Sequence, residues 1–512
     1  MMEFIRFILS LSPIFWLIFA LIVLKMQAHV ASIGAFIFSC LIALFLFQMP
    51  IPNMVLASIE GATMALWPIV LVIIAAVFTY NLTVYSKSMN VIKQMLTSVS
   101  DDIRILVLLI GWCFGGFLEG MAGFGTAIAI PASMLFGLGL NPITSILVCL
   151  IANGTPTPFG SIGIPTVTLS NLVGLEQTSL AFAYALQSSL FMFIAPFLMV
   201  VVTSKSLKGI KDILPIIFIS SLSFVIPVLL VSKFVGAELA VIVASVCSLI
   251  LTFLCAYLFK RKKTPTEYEV TLSNDEIKFT LKSALKAWSP FILIFVLLLS
   301  TSKLVPFINE PLSAIKTTVK IYENYTFTWI NTPGILIFIS AIIGGTIQGC
   351  TPKELIKVLK DTIKQMSKTI ITMISVLCCA KVMGYSGMIS CIATFFVTTL
   401  SSYYPLVAPL IGCIGTFVTG SGTSSSVLFG NVQLQAAQAI DANPYWLVAA
   451  NSLGVSAGKM ISPQSIAIGC AAVDLKGKDG EILSNIMKYA FVFLIIMAII
   501  VYFVEPIYSN IF

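Results

Sequence analysis

The chain has 512 residues, of which 58% are hydrophobic and only 10% are charged, and its formal net charge is +8. Ordinary soluble proteins carry about 25% charged residues. The composition therefore excludes a soluble globular protein and predicts a polytopic membrane protein without a separate soluble domain. The Lys and Arg residues lie in short loops, which suits contact with anionic membrane lipid and argues against a nucleic acid partner.

The first apolar run, "FILSLSPIFWLIFALIVL" at residues 7–24, approaches the roughly 20 residues that cross a hydrocarbon core. It lacks a small-residue cleavage site and another apolar run follows it, so we expect a retained span and not a secretory signal. Similar runs along the chain predict an all-α protein with about 12 transmembrane helices. The eleven cysteines show no CxxC or Cys/His spacing, so no metal site or cofactor is predicted.

Residues 104–140 are too long for one crossing and too polar at their middle, "EGMAGFGT", for a plain span. We predict a re-entrant helical hairpin that enters from the cytoplasm, with Gly120, Gly123 and Gly125 at its tip. Glycine permits the tight reversal. Backbone that leaves helical geometry at membrane depth must be buried in protein or face water, because lipid cannot satisfy its N–H and C=O groups.

A broken helix is predicted directly after this hairpin, over residues 142–170. Its middle, "NGTPTPFGSIGIP" from Asn153 to Pro165, has three prolines and three glycines. Such a stretch cannot form a continuous helix, because proline removes a helical hydrogen bond and clashes with the preceding turn.

Charge in the loops predicts the topology. Five clusters of Lys and Arg are placed in the cytoplasm, at 87–104, 205–211, 260–263, 353–368 and 476–488. The apolar runs between these clusters predict spans at 213–232, 236–259, 288–308 and 333–349. The segment 261–287 then becomes a cytoplasmic linker, which divides the chain into halves at 1–260 and 288–512.

The second half carries a second predicted hairpin at 404–441, with the tip "TGSGTSSS" and Gly420 in it. By the charge rule this hairpin enters from outside. A second broken helix is predicted over 443–470, interrupted in the stretch "NSLGVSAGKMISPQS".

The two halves share an internal repeat. "YS" at 85 recurs at 385, and "FLEG" at 117 recurs as "FVTG" at 417, each 300 residues later; "NP" at 141 recurs at 443. Because the two hairpins enter from opposite sides, the repeats are predicted to be inverted. Inverted repeats with polar, broken segments at matching positions are typical of secondary transporters, whose solute site lies where the repeats meet.

Two charged residues are the main candidates for chemistry. Glu119 lies at the first tip within an apolar run, where a carboxylate is costly to ionise and suited to exchanging a proton. Its alternative role is to cap backbone N–H groups. Lys459 could pair with an anionic substrate or with Glu119, or could hold the broken helix together. Lys381 is a second buried cation that ranks lower, because its ammonium could extend to a surface.

Uncharged groups near the tips and breaks are predicted to orient a small anion, and exposed N–H groups at helix starts suit a carboxylate. For each hydroxyl a structural role in satisfying helix backbone is an equal alternative. The predicted substrate-binding residues, besides Lys459, are Asn153, Gly154, Thr155, Ser421, Gly422, Thr423, Ser424, Asn451, Ser462 and Gln464.

Five other polar positions receive no predicted role in the site. His29 is interpreted as a loop residue, Asp102 with its neighbour Asp101 as a solvated face, and Tyr85 and Tyr385 as markers of helix ends.

The motifs resemble those of the bacterial L-lactate permease family. The matching stretches are "LWPIVLVIIAAVF", "GFLEGMAGFG", "CLIANGTPTPFGSIGIP", "FVTGSGTSSSVLFG" and "VAANSLGVSAGKMISPQSIAIGCAAV". The resemblance implies proton-coupled uptake of L-lactate, with glycolate and D-lactate as related substrates, across the bacterial plasma membrane. It also implies a fold in which hairpin-bearing parts move against a scaffold, often in a homodimer. Some members read "TGSDTSSN" where this chain has Gly422 and Ser426, which leaves Glu119 as the candidate for proton coupling.

Three alternatives stay open at this stage. A sodium-coupled symporter would use the asparagines and unwound carbonyls at the two breaks to bind Na⁺. A passive channel fits glycine-rich re-entrant tips less well than a closed midplane site does. An intramembrane enzyme is disfavoured, because the sequence has no HExxH and no GxSxG with a histidine partner.

Overall fold

A computed structural model describes residues 2–24, 26–123, 125–258, 265–270, 280–302, 304–322, 324–475 and 477–511. Among these residues, ten helices are long and apolar enough to cross a membrane, and two bent helix pairs bring the number to 12. The predicted all-α polytopic class is confirmed.

The helices of the described residues follow one another with short connections. Their bounds are Met2–Ser10, Ser12–Ile22, Ala28–Phe45, Ile51–Met64, Leu71–Tyr85, Ser88–Thr97, Ile103–Met121, Thr126–Gly137, Pro142–Gly154, Gly160–Val173, Gln177–Ser204, Lys208–Lys211, Leu214–Phe234, Ala237–Leu258, Leu281–Ser300, Pro306–Ala314, Pro333–Gln348, Pro352–Ser386, Met388–Leu400, Tyr404–Thr419, Gly422–Ala439, Pro444–Ile461, Pro463–Ala472 and Asp479–Ile511.

A small antiparallel sheet adds to the helical fold. Its strands, Lys316–Lys320 and Asn324–Thr328, are paired so that Lys316 faces Thr328. Their sequences, "KTTVK" and "NYTFT", are rich in the β-branched and aromatic residues that favour strands. No strand was predicted in this segment, which joins the predicted spans 288–308 and 333–349.

The helix predicted at 288–308 begins and ends closer to the N-terminus, at Leu281–Ser300. Thr280 and Ser283 cap its start with reciprocal hydrogen bonds, a local signal that the apolar run does not reveal. Its first turns therefore occupy the end of the predicted linker. Within the linker, residues 261–264 and 271–279 lie outside the described residues.

The order of elements in residues 28–204 recurs in residues 333–511. Each set has a helix, a 35-residue helical stretch, a short helix, a helical hairpin, an interrupted helix and a long final helix. The two 35-residue stretches differ in shape. Ile51–Tyr85 is kinked at Trp67, which precedes Pro68 through a cis peptide bond, whereas Pro352–Ser386 is continuous.

The two ends of the bundle differ in charge. We call one of them the basic end, because it gathers the Lys-containing loops 86–102 and 205–213, Arg104, and the Lys-rich start of Pro352–Ser386 that follows loop 349–351. Contacts join these loops: the Ser86 hydroxyl donates to the Gln348 side-chain oxygen at 2.9 Å, and the Arg104 guanidinium donates to the Gly209 carbonyl at 2.9 Å. The opposite end, which we call the sheet end, carries the two strands and the turns near Gln177 and Glu238.

An ion pair at the basic end corrects the interpretation of Asp102 as part of a solvated face. Asp102 is only 2% exposed, and its carboxylate oxygen lies 2.6 Å from the Arg104 guanidinium, which is fully buried. The Tyr268 ring lies 3.9 Å from that guanidinium, and the Ile103 N–H donates to the Tyr268 carbonyl at 3.0 Å. The described part of the linker therefore packs over the start of the first hairpin.

Candidate functional site

The first helical hairpin consists of Ile103–Met121 and Thr126–Gly137. Its helices run antiparallel, because a Cβ on Gly115 would lie 3.6 Å from the Pro131 side chain and one on Gly111 would lie 3.8 Å from Leu135. Gly123 and Gly125, at the turn, have φ values of +59° and +88°, which favour glycine. All 19 residues of the first helix are buried, so protein surrounds the hairpin.

The second helical hairpin consists of Tyr404–Thr419 and Gly422–Ala439. Two buried hydrogen bonds hold its helices side by side: the Ser425 hydroxyl donates to the Gly412 carbonyl at 2.9 Å, and the Tyr404 hydroxyl donates to the Gln433 side-chain oxygen at 3.0 Å. Gly420, with φ of +69°, ends the first helix. The Ser421 hydroxyl accepts from the Ser424 N–H at 3.2 Å and starts the second helix.

The interrupted helix after the first hairpin loses helical geometry over several residues. Pro142–Gly154 and Thr157–Val173 meet at an angle of 61°. Ser161, Ile162 and Gly163 all have left-handed φ values, of 47°, 59° and 73°. Two side-chain-bearing residues in this region are strained, and such strain persists only where the surrounding structure holds it.

The second interrupted helix breaks over a much shorter distance than the predicted stretch. The helix is continuous from Pro444 to Ile461 and stops at Ser462, before Pro463. Asn451 and Lys459 therefore lie within an intact helix. Its glycines serve close packing: a Cβ on Gly454 would collide with the Pro409 carbonyl, in the second hairpin. Small residues permit such close approach of membrane helices.

Each hairpin tip packs against the interruption that follows it. At the first tip, the Ser161 hydroxyl donates to the Ala122 carbonyl at 2.9 Å, and a Cβ on Gly123 would collide with Ser161. At the second tip, a Cβ on Gly420 would collide with the Gln464 side chain. The second tip also contacts the first half of the chain, because a Cβ on Gly422 would lie 3.1 Å from the Thr157 methyl.

One buried acid and one buried base lie where these parts meet. Glu119 is 4% exposed, and a Cβ on Gly160 would lie 2.6 Å from its carboxylate oxygen. The carboxylate faces Asn153 and Thr157 and interacts electrostatically with Lys459. Lys459 is 8% exposed, and its ammonium donates to the Gly420 carbonyl at 2.9 Å. The acid of the first half and the base of the second half thus share one environment.

A cavity of about 310 Å³ lies between the two tips, and we call it the central cavity. Both halves of the chain line it with polar and charged groups. The polar, charged and glycine residues in its lining that come from the hairpins and interrupted helices are Glu119, Thr157, Gly160, Ser161, Thr419, Gly420, Ser421, Gly422, Thr423, Ser424, Lys459 and Gln464.

The predicted site residues divide into two groups. Those in the lining are Glu119, Gly420, Ser421, Gly422, Thr423, Ser424, Lys459 and Gln464. Those that do not line it are Gly120, Gly123, Gly125, Asn153, Gly154, Thr155, Asn451 and Ser462. In the second group, Gly154 serves close packing, because a Cβ there would lie 2.5 Å from the Met460 side chain.

Several buried polar groups in this region have no hydrogen-bond partner among the described residues. They are one carboxylate oxygen of Glu119, both side-chain amides of Asn153 and Asn451, and the hydroxyls of Thr155, Ser424 and Ser462. Buried polar groups are almost always satisfied in folded proteins. A solute, an ion or water would supply the missing partners.

The sequence prediction missed several lining residues, among them two with basic side chains. His29, interpreted as a loop residue, lies in the first turn of Ala28–Phe45 and lines the central cavity. Lys368 lines it too, and its ammonium donates to the Gln27 side-chain oxygen at 2.8 Å. The only signal for His29 is that it is the single histidine of the chain. Lys368 was hidden in a basic cluster that resembled a loop.

Lys381 and Tyr385 lie away from the central cavity. The Lys381 ammonium lies 2.7 Å from a carboxylate oxygen of Glu60, and the Tyr385 hydroxyl donates to the same oxygen at 2.7 Å. Lys381 is therefore held by an internal ion pair within the bundle. Tyr385 is close to a helix end, as predicted, but it also binds this carboxylate.

Comparison with known proteins finds a similar architecture in a solved structure. The solved structure of the YdaH transporter of Alcanivorax borkumensis shares the fold, with a TM-score of 0.53 and 13% identity over 93% of this chain and 98% of that chain. The shared fold and the membrane-length helices define a multi-pass membrane protein.

The family follows from sequence matches over nearly the whole chain. Residues 6–508 match the model of the L-lactate permease family. The chain is 42% identical to an L-lactate permease of Streptococcus iniae, over 86% of this chain and 93% of that protein. It is 33% identical to the glycolate permease GlcA of Escherichia coli strain K12, over 96% and 94%. The chain belongs to the L-lactate permease family, and it is a multi-pass protein of the bacterial plasma membrane that transports a small-molecule substrate.

Proposed function

We propose that this protein takes up L-lactate, and related 2-hydroxy monocarboxylates such as glycolate and D-lactate, by proton symport through the central cavity. The observation that carries the proposal is the convergence of a buried acid, Glu119, and a buried base, Lys459, on one polar cavity between two hairpin tips. The names of the related permeases support lactate and glycolate as the substrate class.

The charges of the central cavity favour an anion. Lys459 and Lys368 line it against the single carboxylate of Glu119, among the described residues. The first turn of Gly422–Ala439 adds N–H groups and the hydroxyls of Thr423 and Ser424, and helix starts attract carboxylates. In this proposal the substrate carboxylate binds Lys459 and the second tip, and its 2-hydroxyl bonds with Thr157 or Gln464.

Glu119 is the proposed proton carrier. Its side chain is buried, and one of its oxygens has no hydrogen-bond partner among the described residues. Protonation removes the cost of a buried negative charge. A lactate anion that enters against a negative-inside potential meets a cost of about 2.3 kcal/mol per 100 mV, which one accompanying proton cancels.

The two hairpins and interrupted helices are the proposed moving parts. The repeated order of elements supports an inverted repeat, since the positive-inside rule puts the basic end in the cytoplasm and gives the hairpins opposite orientations. Inverted repeats allow a solute site to open to each side in turn. A homodimer is the assembly that the family resemblance leads us to expect, and light scattering of the solubilised protein would measure it.

Uptake into proteoliposomes tests the function. We expect an inward proton gradient to drive accumulation of labelled L-lactate, and Glu119→Gln to remove this dependence while exchange of lactate for lactate continues. Glu481→Gln is the matched control, because Glu481 is an exposed carboxylate paired with Lys478. Uptake that ignores the proton gradient in the wild-type protein would contradict the proposal.

Sodium coupling is the second candidate, and the unpartnered side chains of Asn153 and Asn451 favour it. Amide oxygens and unwound carbonyls are suitable ligands for Na⁺ at interrupted helices. Replacement of sodium by choline separates the two functions. Under proton symport, uptake is the same in choline medium as in sodium medium. Under sodium symport, uptake fails in choline medium, and Asn153→Ala raises the sodium concentration needed for uptake.

A further inference from the structure

A second cavity lies at the sheet end of the bundle, and the mechanism above does not use it. Its volume is about 480 Å³, and we call it the sheet-end cavity. Glu60 and Lys381 line one wall, and the second strand covers another with Asn324, Tyr325 and Thr326. Because the basic end is cytoplasmic by the charge rule, this cavity faces the outside.

The ion pair in its wall is buried and joins two long helices. Glu60, in Ile51–Met64, is 3% exposed, and Lys381, in Pro352–Ser386, lies 2.7 Å from it. The helices touch here, since a Cβ on Gly61 would lie 2.6 Å from the Cys378 backbone. A buried pair of charges is weak evidence for stability, because removal from water offsets the attraction. Ionisable residues at membrane depth are instead typical of solute and proton pathways.

A thin barrier separates the two cavities. Ile164 lines both of them, and Ile162 lines the sheet-end cavity. Ile162 belongs to the strained segment of the first interrupted helix, and Ile164 is the residue directly after that segment. A solute from outside would therefore pass the Glu60–Lys381 pair, then Ile164, and then reach Glu119 and Lys459.

We propose that Glu60 and Lys381 form a capture site for an external monocarboxylate together with one proton. A proton from the outside medium binds the Glu60 carboxylate, which then releases the Lys381 ammonium. The substrate carboxylate takes the place of Glu60 beside Lys381. Charge balances, because one proton and one anion enter and the pair stays neutral as a whole. This inference rests on the proposed function.

The surroundings of the pair suit this exchange. Among the described residues, the titratable or charged groups facing Glu60 include Lys381 and Tyr385 on one helix and Tyr325 on the second strand, while Glu238 lines the same cavity. Glu238 adds negative charge that attracts protons. The amides of Asn324 and Asn331 can bind a 2-hydroxyl group. At the central cavity Glu119 and Lys459 repeat the same combination of acid and base.

Transport measured from each side tests the proposal. For Lys381→Met we expect the KM for external L-lactate to rise about tenfold, as for a lost charge-assisted hydrogen bond, while the KM for lactate supplied at the basic end stays unchanged. Lys381→Arg should restore most of the external affinity. Glu60→Gln should remove the pH dependence of the external KM and leave uptake at saturating lactate dependent on the proton gradient. Equal shifts on both sides, or none on either, would overturn the inference.

Two further measurements keep the test decisive. If Lys381→Met does not fold, the double variant Glu60→Gln/Lys381→Met removes both charges and should show the same one-sided rise in KM. Trp67 also lines the sheet-end cavity, so binding of L-lactate to the solubilised protein should change tryptophan fluorescence. We expect this change to vanish in Trp67→Phe and to need about tenfold more lactate in Lys381→Met. A response independent of Lys381 would refute the capture site even if transport is not proton-coupled.

Discussion

The two interrupted helices follow equivalent hairpins but are built differently. The first unwinds around Gly160 and Gly163, and it leaves two other residues in left-handed geometry. The second stays helical to Ile461, because Gly454 and Gly458 press it against the backbone of the second hairpin. Glycine thus allows the backbone to unwind in the first interrupted helix, whereas in the second it allows close packing against the hairpin. Glu119, the proposed proton carrier, faces the unwound part, whereas Lys459, the proposed anion-binding residue, lies on the rigid part.

The largest effect is expected where the second half is packed most tightly. Gly454→Val places a side chain into the Pro409 carbonyl of the second hairpin. Overpacking of this kind should lower the free energy of unfolding by about 3 kcal/mol or prevent folding. Thermal unfolding in detergent measures it, with Gly480→Ala as control, since that glycine has open space around it. A normal melting temperature for Gly454→Val would show that the second half is not rigid in this way.

Lys459→Met should come next in size. It removes the charge that we propose binds the substrate carboxylate, and it removes the hydrogen bond to the Gly420 carbonyl. A hydrogen bond to a charged group contributes about 2 kcal/mol, so we expect the KM for L-lactate to rise roughly 30-fold from both sides of the membrane. Counterflow with increasing lactate measures this. Lys459→Arg keeps the charge, so its KM should rise less. An unchanged KM in Lys459→Met would show that the substrate carboxylate binds elsewhere.

Gly160→Ala probes the unwound half with a smaller change. The backbone at 160 has φ of −64°, which alanine adopts freely, and the atoms nearest to the new methyl group belong to the Glu119 side chain. We expect about tenfold slower proton-driven uptake with little loss of stability, since a displaced acid transfers its proton poorly. Gly137→Ala, in open space, is the control. Equal losses in proton-driven uptake and in lactate exchange would mean that the methyl group disturbs packing and not coupling.

His29→Gln should have the smallest effect. His29 lines the central cavity from a helix outside the two repeated hairpins, and it is only half-buried. Groups at the rim of a site mainly change the rate at which a ligand arrives, so we expect about a twofold change in the rate of lactate binding from the basic end. A larger change would show that the anion-binding site includes His29 as well as the second hairpin.

The sequence predicted the local elements of this fold well. Long apolar runs and clusters of Lys and Arg mark the spans, and the glycines of "EGMAGFGT" and "TGSGTSSS" coincide with the two hairpin turns. These signals are local, since each depends on a few neighbouring residues. The stretch "NSLGVSAGKMISPQS" was interpreted as broken because glycine both unwinds and packs helices, and only the neighbouring hairpin decides between these roles.

Contacts between residues that lie far apart in the chain could not be predicted from the sequence. Glu60 and Lys381 are 321 positions apart and pair only after two long helices pack together. His29 and Glu119 line one cavity for the same reason. Asp102 became buried because residues near Tyr268 cover it. The sheet escaped notice because its two five-residue strands lie in a polar connection.

The central claim is that one acid and one base at the central cavity couple one proton to one monocarboxylate. The most direct measurement is the ratio of protons to L-lactate entering proteoliposomes, with a pH-sensitive dye inside and labelled substrate outside. We predict a ratio of about one for the wild-type protein, the value at which a proton cancels the charge of lactate, and no proton entry for Glu119→Gln while lactate exchange continues. Lactate entry without protons in the wild-type protein, or an unchanged ratio in Glu119→Gln, would contradict the account.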